Sequence, residues 1–117
     1  MLLSKKTSIF NYFDALKKLQ NLSPKEVIIT LGADGYTGVC RDGEIFSKPA
    51  IKVDMLSTHG AGDSFAGTLA AFICKGEHIS VAAQYAQASS ALHVKTPIDQ
   101  REKIKEVDIE NMFLLNQ

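Results

Sequence analysis

Apolar positions along the first part of the chain change from helical to strand-like spacing. From Ile9 to Leu19 they recur at helical intervals, up to a breaker at residues 21–24. The run from Glu26 to Leu31 is rich in β-branched residues, is apolar on both faces and ends at Gly32, which predicts a strand buried inside a sheet. A helix followed by a buried strand indicates an α/β layered fold.

The middle of the chain carries strand and turn signals. Tyr36 to Arg41 and Glu44 to Lys48 flank the pair Asp42-Gly43, and this arrangement predicts a β-hairpin. Ala50 to Met55 alternates apolar and polar residues, which predicts a further strand that leads into a glycine-rich turn at residues 58–63.

The last part of the chain has helical spacing. A stripe of apolar residues from Phe65 to Ile73 predicts a helix that stops at Gly76. Ser80 is predicted to cap a second helix, whose many small residues would let a neighbouring element approach closely, and Pro97 bounds its far side. Residues 98–117 predict one or two short helices.

Composition and charge narrow the class of protein. The 117 residues are 45% hydrophobic and 22% charged, which is typical of a globular chain, and we expect residues 1–117 to form a single domain. Thirteen basic and thirteen acidic residues cancel, so no positive field favours nucleic acid. No apolar run is long enough for a membrane span or a signal peptide, so we expect no membrane partner and a cytoplasmic location.

The cysteines and histidines give no sign of a metal site. Cys40 and Cys74 are far apart in apolar surroundings, and we interpret both as buried structural thiols. His78 and His93 have no partners at metal-ligand spacing, so no metal ligands and no function are assigned to them. His59, in the glycine-rich turn, could contact a phosphate when protonated or be a partly exposed bystander.

The chemistry is concentrated in the turn from Gly60 to Asp63. A strand that opens through two glycines into a helix brings unpaired N–H groups and the positive end of the helix dipole to one point, which attracts phosphate. Asp63 has two interpretations there: a base that accepts a proton from an attacking hydroxyl, or an acid favoured in the first helical turn. No Gly-Lys-Ser/Thr follows, and Phe65 stands where a dinucleotide motif needs glycine, so neither a P-loop nor a Rossmann site is predicted.

Two segments resemble the PfkB family of carbohydrate kinases. Residues 58–67, Thr-His-Gly-Ala-Gly-Asp-Ser-Phe-Ala-Gly, are similar to the family's C-terminal signature, and residues 28–35, Ile-Ile-Thr-Leu-Gly-Ala-Asp-Gly, are similar to its "TLGxxG" strand end. The resemblance covers roughly residues 8–96. It implies the C-terminal part of a ribokinase-like, three-layer α/β/α fold, with a mixed sheet, a β-hairpin and flanking helices.

The resemblance also implies a site and a reaction, the transfer of the γ-phosphoryl group of ATP, with Mg2+, to a sugar or nucleoside hydroxyl. It implies a catalytic set of Asp63, Gly60, Ala61 and Gly62, and a nucleotide-binding set of Thr30, Gly32, Gly35 and Gln87. Here Asp63 is the base, the Gly-Ala-Gly segment is the anion hole, and Gln87 lies near the adenine. Thr30 and Gly32 have a simpler interpretation as a strand end with a turn glycine.

The sequence departs from the family in two respects. Ser57 stands where the signature usually has an aspartate that helps hold a monovalent cation, which calls potassium activation into question. The family's N-terminal part, with its sugar pocket, is absent, so we expect a second copy of the chain or a separate N-terminal part to cover the exposed sheet edge. The alternative function is a truncated, catalytically silent nucleotide-binding or interaction module.

Overall fold

The computed structural model describes residues 2–4 and 26–116. The chain divides into two compact units, Met1–Ala50 and Ile51–Gln117. The first is built around a β-sheet and the second is built from helices, with the predicted phosphate-binding turn in the second.

The first unit contains a four-stranded sheet in the order β1-β2-β3-β4. The strands are β1 (Leu2–Ser4), β2 (Val27–Thr30), β3 (Tyr36–Val39) and β4 (Ile45–Lys48). β1 runs parallel to β2, and the other neighbours are antiparallel. The predicted buried strand is confirmed, because β2 is paired on both sides and its first three side chains are at most 2% exposed.

β1 was not predicted from the sequence, because two leucines are too short a pattern to distinguish a strand from a loop. A parallel pair of strands needs a long crossover connection, and residues 5–26 link β1 to β2. The helix predicted from Ile9 to Leu19 falls in that connection, outside the described residues.

The predicted hairpin is confirmed, with a loop one residue longer than the strand pattern indicated. Gly43 N–H donates to the Cys40 carbonyl at 2.9 Å, and Cys40 N–H donates to the Glu44 carbonyl at 2.8 Å. Three residues, Arg41–Gly43, therefore close the loop, and Gly43 takes the positive φ of 92° that the last position of such a loop requires.

A short 3-10 helix, Gly32–Asp34, links β2 to β3 and ends at Gly35. Leu31 N–H donates to the Gly35 carbonyl at 2.8 Å, which closes this turn. Gly35 has a φ of 92°, and a Cβ added to it would lie 2.0 Å from the carbonyl oxygen of Lys48. Only glycine allows the two backbone segments to approach so closely.

The strand predicted from Ala50 to Met55 is wrong, because residues 50–55 form no ladder in the described part of the chain. Ile51 and Val53 are half-buried while Lys52 is exposed, so the alternation reflects one-sided burial of an extended segment. Alternation alone indicates which side chains are covered and does not supply the neighbouring strand that a ladder needs.

The predicted helices are present in the second unit. They are α1 (Ala61–Cys74), α2 (Ile79–Lys95) and α3 (Glu106–Leu115), with a 3-10 helix at Ile98–Lys103. α1 ends as predicted at Gly76, whose φ is 93° and whose N–H donates to the Ile73 carbonyl, while Glu77 N–H donates to the Phe72 carbonyl. This pair of bonds is the Schellman arrangement that glycine favours.

Two sequence assignments around the helices are corrected. α2 begins one residue beyond His78, which is the capping residue, because its Nδ1 accepts a hydrogen bond from the N–H of Ser80 at 3.2 Å. Ser80 was predicted as the cap and lies inside the first turn. Cys40 is buried as predicted, and burial together with nearby acidic groups raises the pKa of its thiol, whereas Cys74 is exposed.

α1 and α2 pack closely through small residues, as the sequence predicted. Ala82, Ala83 and Ala86 of α2 have no exposed surface, and the hydroxyls of Ser64 and Ser89 lie 2.9 Å apart between the two helices. Small side chains let the two backbones approach, so the position of α1 is set directly by α2.

An aromatic stack joins all three helices of the second unit. Tyr85 of α2 lies between Phe72 of α1, at a centroid distance of 4.1 Å, and Phe113 of α3, at 4.0 Å. Stacked rings add to the apolar surface that they bury, so this stack stabilises the end of the helix group away from the start of α1.

Substitution of Gly35 and Gly43 separates a steric clash from backbone strain. Both residues have a φ of 92°, but an added Cβ meets nothing within 4 Å at Gly43. We expect Gly43→Ala to lower the free energy of unfolding by about 1–2 kcal/mol. We expect Gly35→Ala to cost at least about 2 kcal/mol more, because the Lys48 carbonyl must also move. Urea denaturation measures both, and equal losses would contradict the clash.

Candidate active site

Backbone hydrogen bonds close the turn that opens α1. Gly60 takes the capping position with a φ of 79°, and no side chain caps the helix. Ala61 N–H donates to the Thr58 carbonyl at 3.1 Å, and Ser64 N–H donates to the Gly60 carbonyl at 3.0 Å. The left-handed conformation of Gly60 turns the chain sharply into the helix, which is a conformation that glycine adopts without strain.

Two N–H groups at this helix start are available to a ligand. Within the described residues, the N–H groups of Gly62 and Asp63 make no hydrogen bond. Both residues are exposed, so their amides face solvent at the positive end of the α1 dipole. Such an arrangement attracts anions, and phosphate in particular.

Asp63 is the carboxylate at this helix start. It is the third residue of α1, it is exposed, and its side chain has no hydrogen bond or ion pair in the described part of the chain. A carboxylate held by no partner is available to accept a proton from a bound hydroxyl. The same position is also favoured for an acid by the helix dipole, so geometry alone is compatible with both interpretations.

The loop before the turn is held by a guanidinium. Arg101, in the 3-10 helix that follows α2, donates to three backbone carbonyls, each at 3.0 Å: Nε to Thr96, Nη2 to Ser57 and Nη1 to His59. His93 Nε2 lies 2.9 Å from the same His59 carbonyl. The same Nε2 lies 3.2 Å from Nη1 of Arg101, so the tautomer of His93 decides whether this nitrogen donates to the His59 carbonyl or accepts from the guanidinium.

His93 also constrains Gly60. A Cβ added to Gly60 would lie 3.0 Å from Nε2 of His93, so the ring packs against the glycine that opens the helix. Sequence analysis assigned no function to His93 and did not single out Arg101. No motif marks either residue, and the contacts arise only when α2 returns past the loop.

The remaining predicted residues lie on other elements. Thr30 ends β2, Gly32 follows it with a φ of 58°, and Gly35 closes the turn, so these three come together in the first unit. Gly32 is exposed, and an added Cβ would meet nothing within 4 Å. Gly35 is explained by the Lys48 carbonyl, whether or not a nucleotide binds. Gln87 is half-buried in the middle of α2.

No helix in the described part of the chain has both the length and the apolar character to cross a membrane.

The family of the chain follows from comparison with known proteins. The model of the pfkB family of carbohydrate kinases matches residues 1–104. The chain therefore belongs to the pfkB carbohydrate kinase family, and the resemblance drawn from residues 58–67 and 28–35 is confirmed.

Two curated relatives are kinases of different small molecules. The chain is 38% identical over 68 residues to 5-dehydro-2-deoxygluconokinase of Bacillus velezensis, which covers 58% of this chain and 21% of the relative. It is 46% identical over 56 residues to aminoimidazole riboside kinase of Salmonella typhimurium, which covers 48% of this chain and 17% of the relative. The chain spans about a fifth of the length of these relatives.

Solved structures confirm the predicted ribokinase-like α/β fold. A putative ribokinase II from E. coli, in complex with ATP and Mg2+, superposes with a TM-score of 0.78 at 26% identity, covering 96% of this chain and 35% of that one. Ribokinase from Thermotoga maritima superposes with a TM-score of 0.74 at 30% identity, covering 88% and 34%. The chain therefore corresponds to part of the ribokinase fold.

The hydroxyl pair between α1 and α2 tests how strongly the helix start is positioned. Ser89 is 6% exposed, so removing only its partner leaves a buried hydroxyl without its hydrogen bond. We expect Ser64→Ala or Ser89→Ala alone to cost about 1–2 kcal/mol of unfolding free energy, and the double variant to cost less than the sum. A urea-denaturation cycle measures this coupling, with the exposed Ser47→Ala as a control. Strict additivity would show that the two hydroxyls do not interact.

Proposed function

We propose that this chain supplies the nucleotide side and the base of a kinase that transfers the γ-phosphoryl group of ATP to a hydroxyl of a sugar or nucleoside. The observation that carries the proposal is the start of α1, where the exposed N–H groups of Gly62 and Asp63 stand beside the unpartnered carboxylate of Asp63. Membership of the pfkB family supports the reaction class.

The anion hole is assigned to the segment Gly60-Ala61-Gly62. Since Ala61 N–H already donates to the Thr58 carbonyl, the donors available to a phosphoryl oxygen are the amides of Gly62 and Asp63. Amides fixed in this way stabilise the negative charge that spreads over the transferred group, and they need no reorganisation during the reaction.

Asp63 acts as the general base in this proposal. The acceptor hydroxyl gives its proton to the Asp63 carboxylate as the hydroxyl oxygen bonds to the γ-phosphorus. The bond between that phosphorus and the bridging oxygen breaks, and ADP leaves with that oxygen. An exposed carboxylate next to a phosphate costs little while water screens the two charges, so the same turn can hold an anion and a base.

The nucleotide is proposed to lie against Thr30, Gly32, Gly35 and Gln87, and Mg2+ is proposed to arrive with its phosphates. Mg2+ commonly keeps several waters and binds substrate phosphates, and no residue of this chain is assigned as its ligand. The E. coli neighbour solved with ATP and Mg2+ supports this choice of ligands.

A catalytically silent nucleotide-binding or interaction module remains the second candidate. It shares the start of α1 with the first candidate and differs from it in having no acceptor beside Asp63. In the kinase candidate, the acceptor pocket is proposed to come from a separate N-terminal part or a second copy. Phosphorylation of a sugar or nucleoside by the purified 117-residue chain would rule the silent module out.

Matched valine substitutions in α1 test the anion hole. Gly62 and Gly67 are both exposed residues of this helix, and an added Cβ meets nothing within 4 Å at either position. Because valine at residue 62 would shield the two free amides, we expect Gly62→Val to weaken magnesium ATP binding at least about tenfold, or about 1.4 kcal/mol. Gly67→Val should bind like the unchanged chain. Calorimetric titration that gave equal affinities for both variants would reject this site.

Replacement of the carboxylate tests the base. In the form of the protein that turns over, Asp63→Asn should lower kcat by a factor of about 10²–10⁴, because general base catalysis typically contributes that much to the rate. ATP affinity should stay the same or rise, because a negative charge next to the phosphates is removed. The exposed Asp99→Asn serves as the charge-matched control. Steady-state kinetics that retained full turnover in Asp63→Asn would refute the assignment.

A further inference from the structure

The Arg101 guanidinium lies in a small cage of backbone oxygens beside the start of α1. The carbonyls of Ser57, His59 and Thr96 each accept a hydrogen bond at 3.0 Å from a different nitrogen of this one side chain. Two of these carbonyls belong to the loop before Gly60. The third belongs to Thr96, the C-cap residue of α2. One charged group therefore joins the loop to the helix behind it.

Three backbone carbonyls therefore surround one positive charge, each bonded to a different nitrogen of the guanidinium. Their oxygen ends carry partial negative charge and repel one another, and a ring of backbone carbonyls is a set of ligands that hard cations take. In this chain the charge is covalently attached, since arginine remains protonated at all accessible pH values.

The shape of the guanidinium suits this cage. It is planar and carries five N–H donors in a fixed fork, and Nε, Nη1 and Nη2 each reach a different carbonyl. A lysine ammonium is a compact point charge on a flexible stem and cannot span the three oxygens in the same way.

The cage is continuous with the proposed anion hole. His59 directly precedes Gly60. Its carbonyl accepts from Nη1 of Arg101 at 3.0 Å, and Nε2 of His93 lies 2.9 Å from the same oxygen. The ring of His93 would in turn lie 3.0 Å from any Cβ at residue 60. Fixing the His59 carbonyl therefore fixes the peptide that enters the left-handed turn, whose φ is 79°.

We infer that Arg101 is a positioning residue that serves as a built-in cation for the turn at Gly60–Asp63, so that the turn keeps its shape without a bound monovalent metal ion. The inference gives Arg101 no contact with a substrate. Its consequence for catalysis rests on the proposed function, but the arrangement of the backbone can be measured in the absence of nucleotide.

Amide hydrogen exchange of the 117-residue chain tests the inference. The chain and its Arg101→Met variant are compared in potassium chloride and in tetramethylammonium chloride at equal ionic strength. We expect the unchanged chain to exchange at the same rates in both salts across residues 57–64. In Arg101→Met we expect exchange there to be at least about tenfold faster in tetramethylammonium, and to be slowed again by potassium or by free guanidinium.

Controls separate a lost cation from general destabilisation. Arg41→Met, at an exposed position of the hairpin loop, should leave residues 57–64 unchanged in both salts. If Arg101→Met fails to fold, Arg101→Lys is measured instead. Its exchange rates should lie between those of the unchanged chain and those expected for Arg101→Met. Potassium-dependent exchange in the unchanged chain would overturn the inference. Unaltered exchange in the folded Arg101 variants, or faster exchange that no cation slows, would overturn it as well.

The result is independent of the ATP titration. A chain whose turn keeps its shape but binds no magnesium ATP would refute the proposed function and leave the role of Arg101 standing. A chain that binds magnesium ATP but shows no effect of Arg101 on exchange would refute the role of Arg101 and leave the proposed function standing.

Discussion

The close approach of α1 to α2 is the constraint on which the candidate site depends. The face of α2 that carries Ala82, Ala83 and Ala86 is fully buried, and the Ser64 and Ser89 hydroxyls meet at 2.9 Å. A larger side chain at residue 89, which meets Ser64 of α1, would push α1 outward and carry Asp63 with it. The small residues of α2 therefore determine where the helix start lies relative to the other groups of this unit.

Positive and negative groups lie close together at the turn from Gly60 to Asp63. The α1 dipole and the Arg101 guanidinium make the region favourable for an anion, whereas Asp63 adds a negative charge at the same place. Because Asp63 is exposed, water screens it from a bound phosphate to about 1 kcal/mol at 4 Å. A buried carboxylate would repel the ligand far more strongly, so exposure is what allows a base and an anion hole to share one helical turn.

Local signals explain which elements could be predicted. The β-branched run of β2, the hairpin turn at Asp42-Gly43 and the stop at Gly76 depend on neighbours within a few residues. The strand, the hairpin and the stop are all confirmed. The strand expected from Ala50 to Met55 was wrong because a ladder needs a partner strand, and partner strands are not encoded in the alternation of one segment. The short β1 carried too few residues to show a pattern.

The candidate site divides in the same way. The residues of the turn follow from a motif, because glycines before a helix have one physical use at that position. The residues that hold the turn do not follow from any motif, since Arg101 contacts the Ser57 carbonyl across 44 positions of sequence. Replacement of the family's signature aspartate by Ser57 raised the question of a cation. The structure places a guanidinium on the Ser57 carbonyl, which no spacing rule indicates.

The contacts that fix the turn lie within one unit of the chain. Among the described residues, every contact that fixes the turn comes from Ser57 to Arg101, within the second unit. A kinase and a silent nucleotide-binding module would share the same turn, and only the presence of an acceptor near Asp63 would distinguish them.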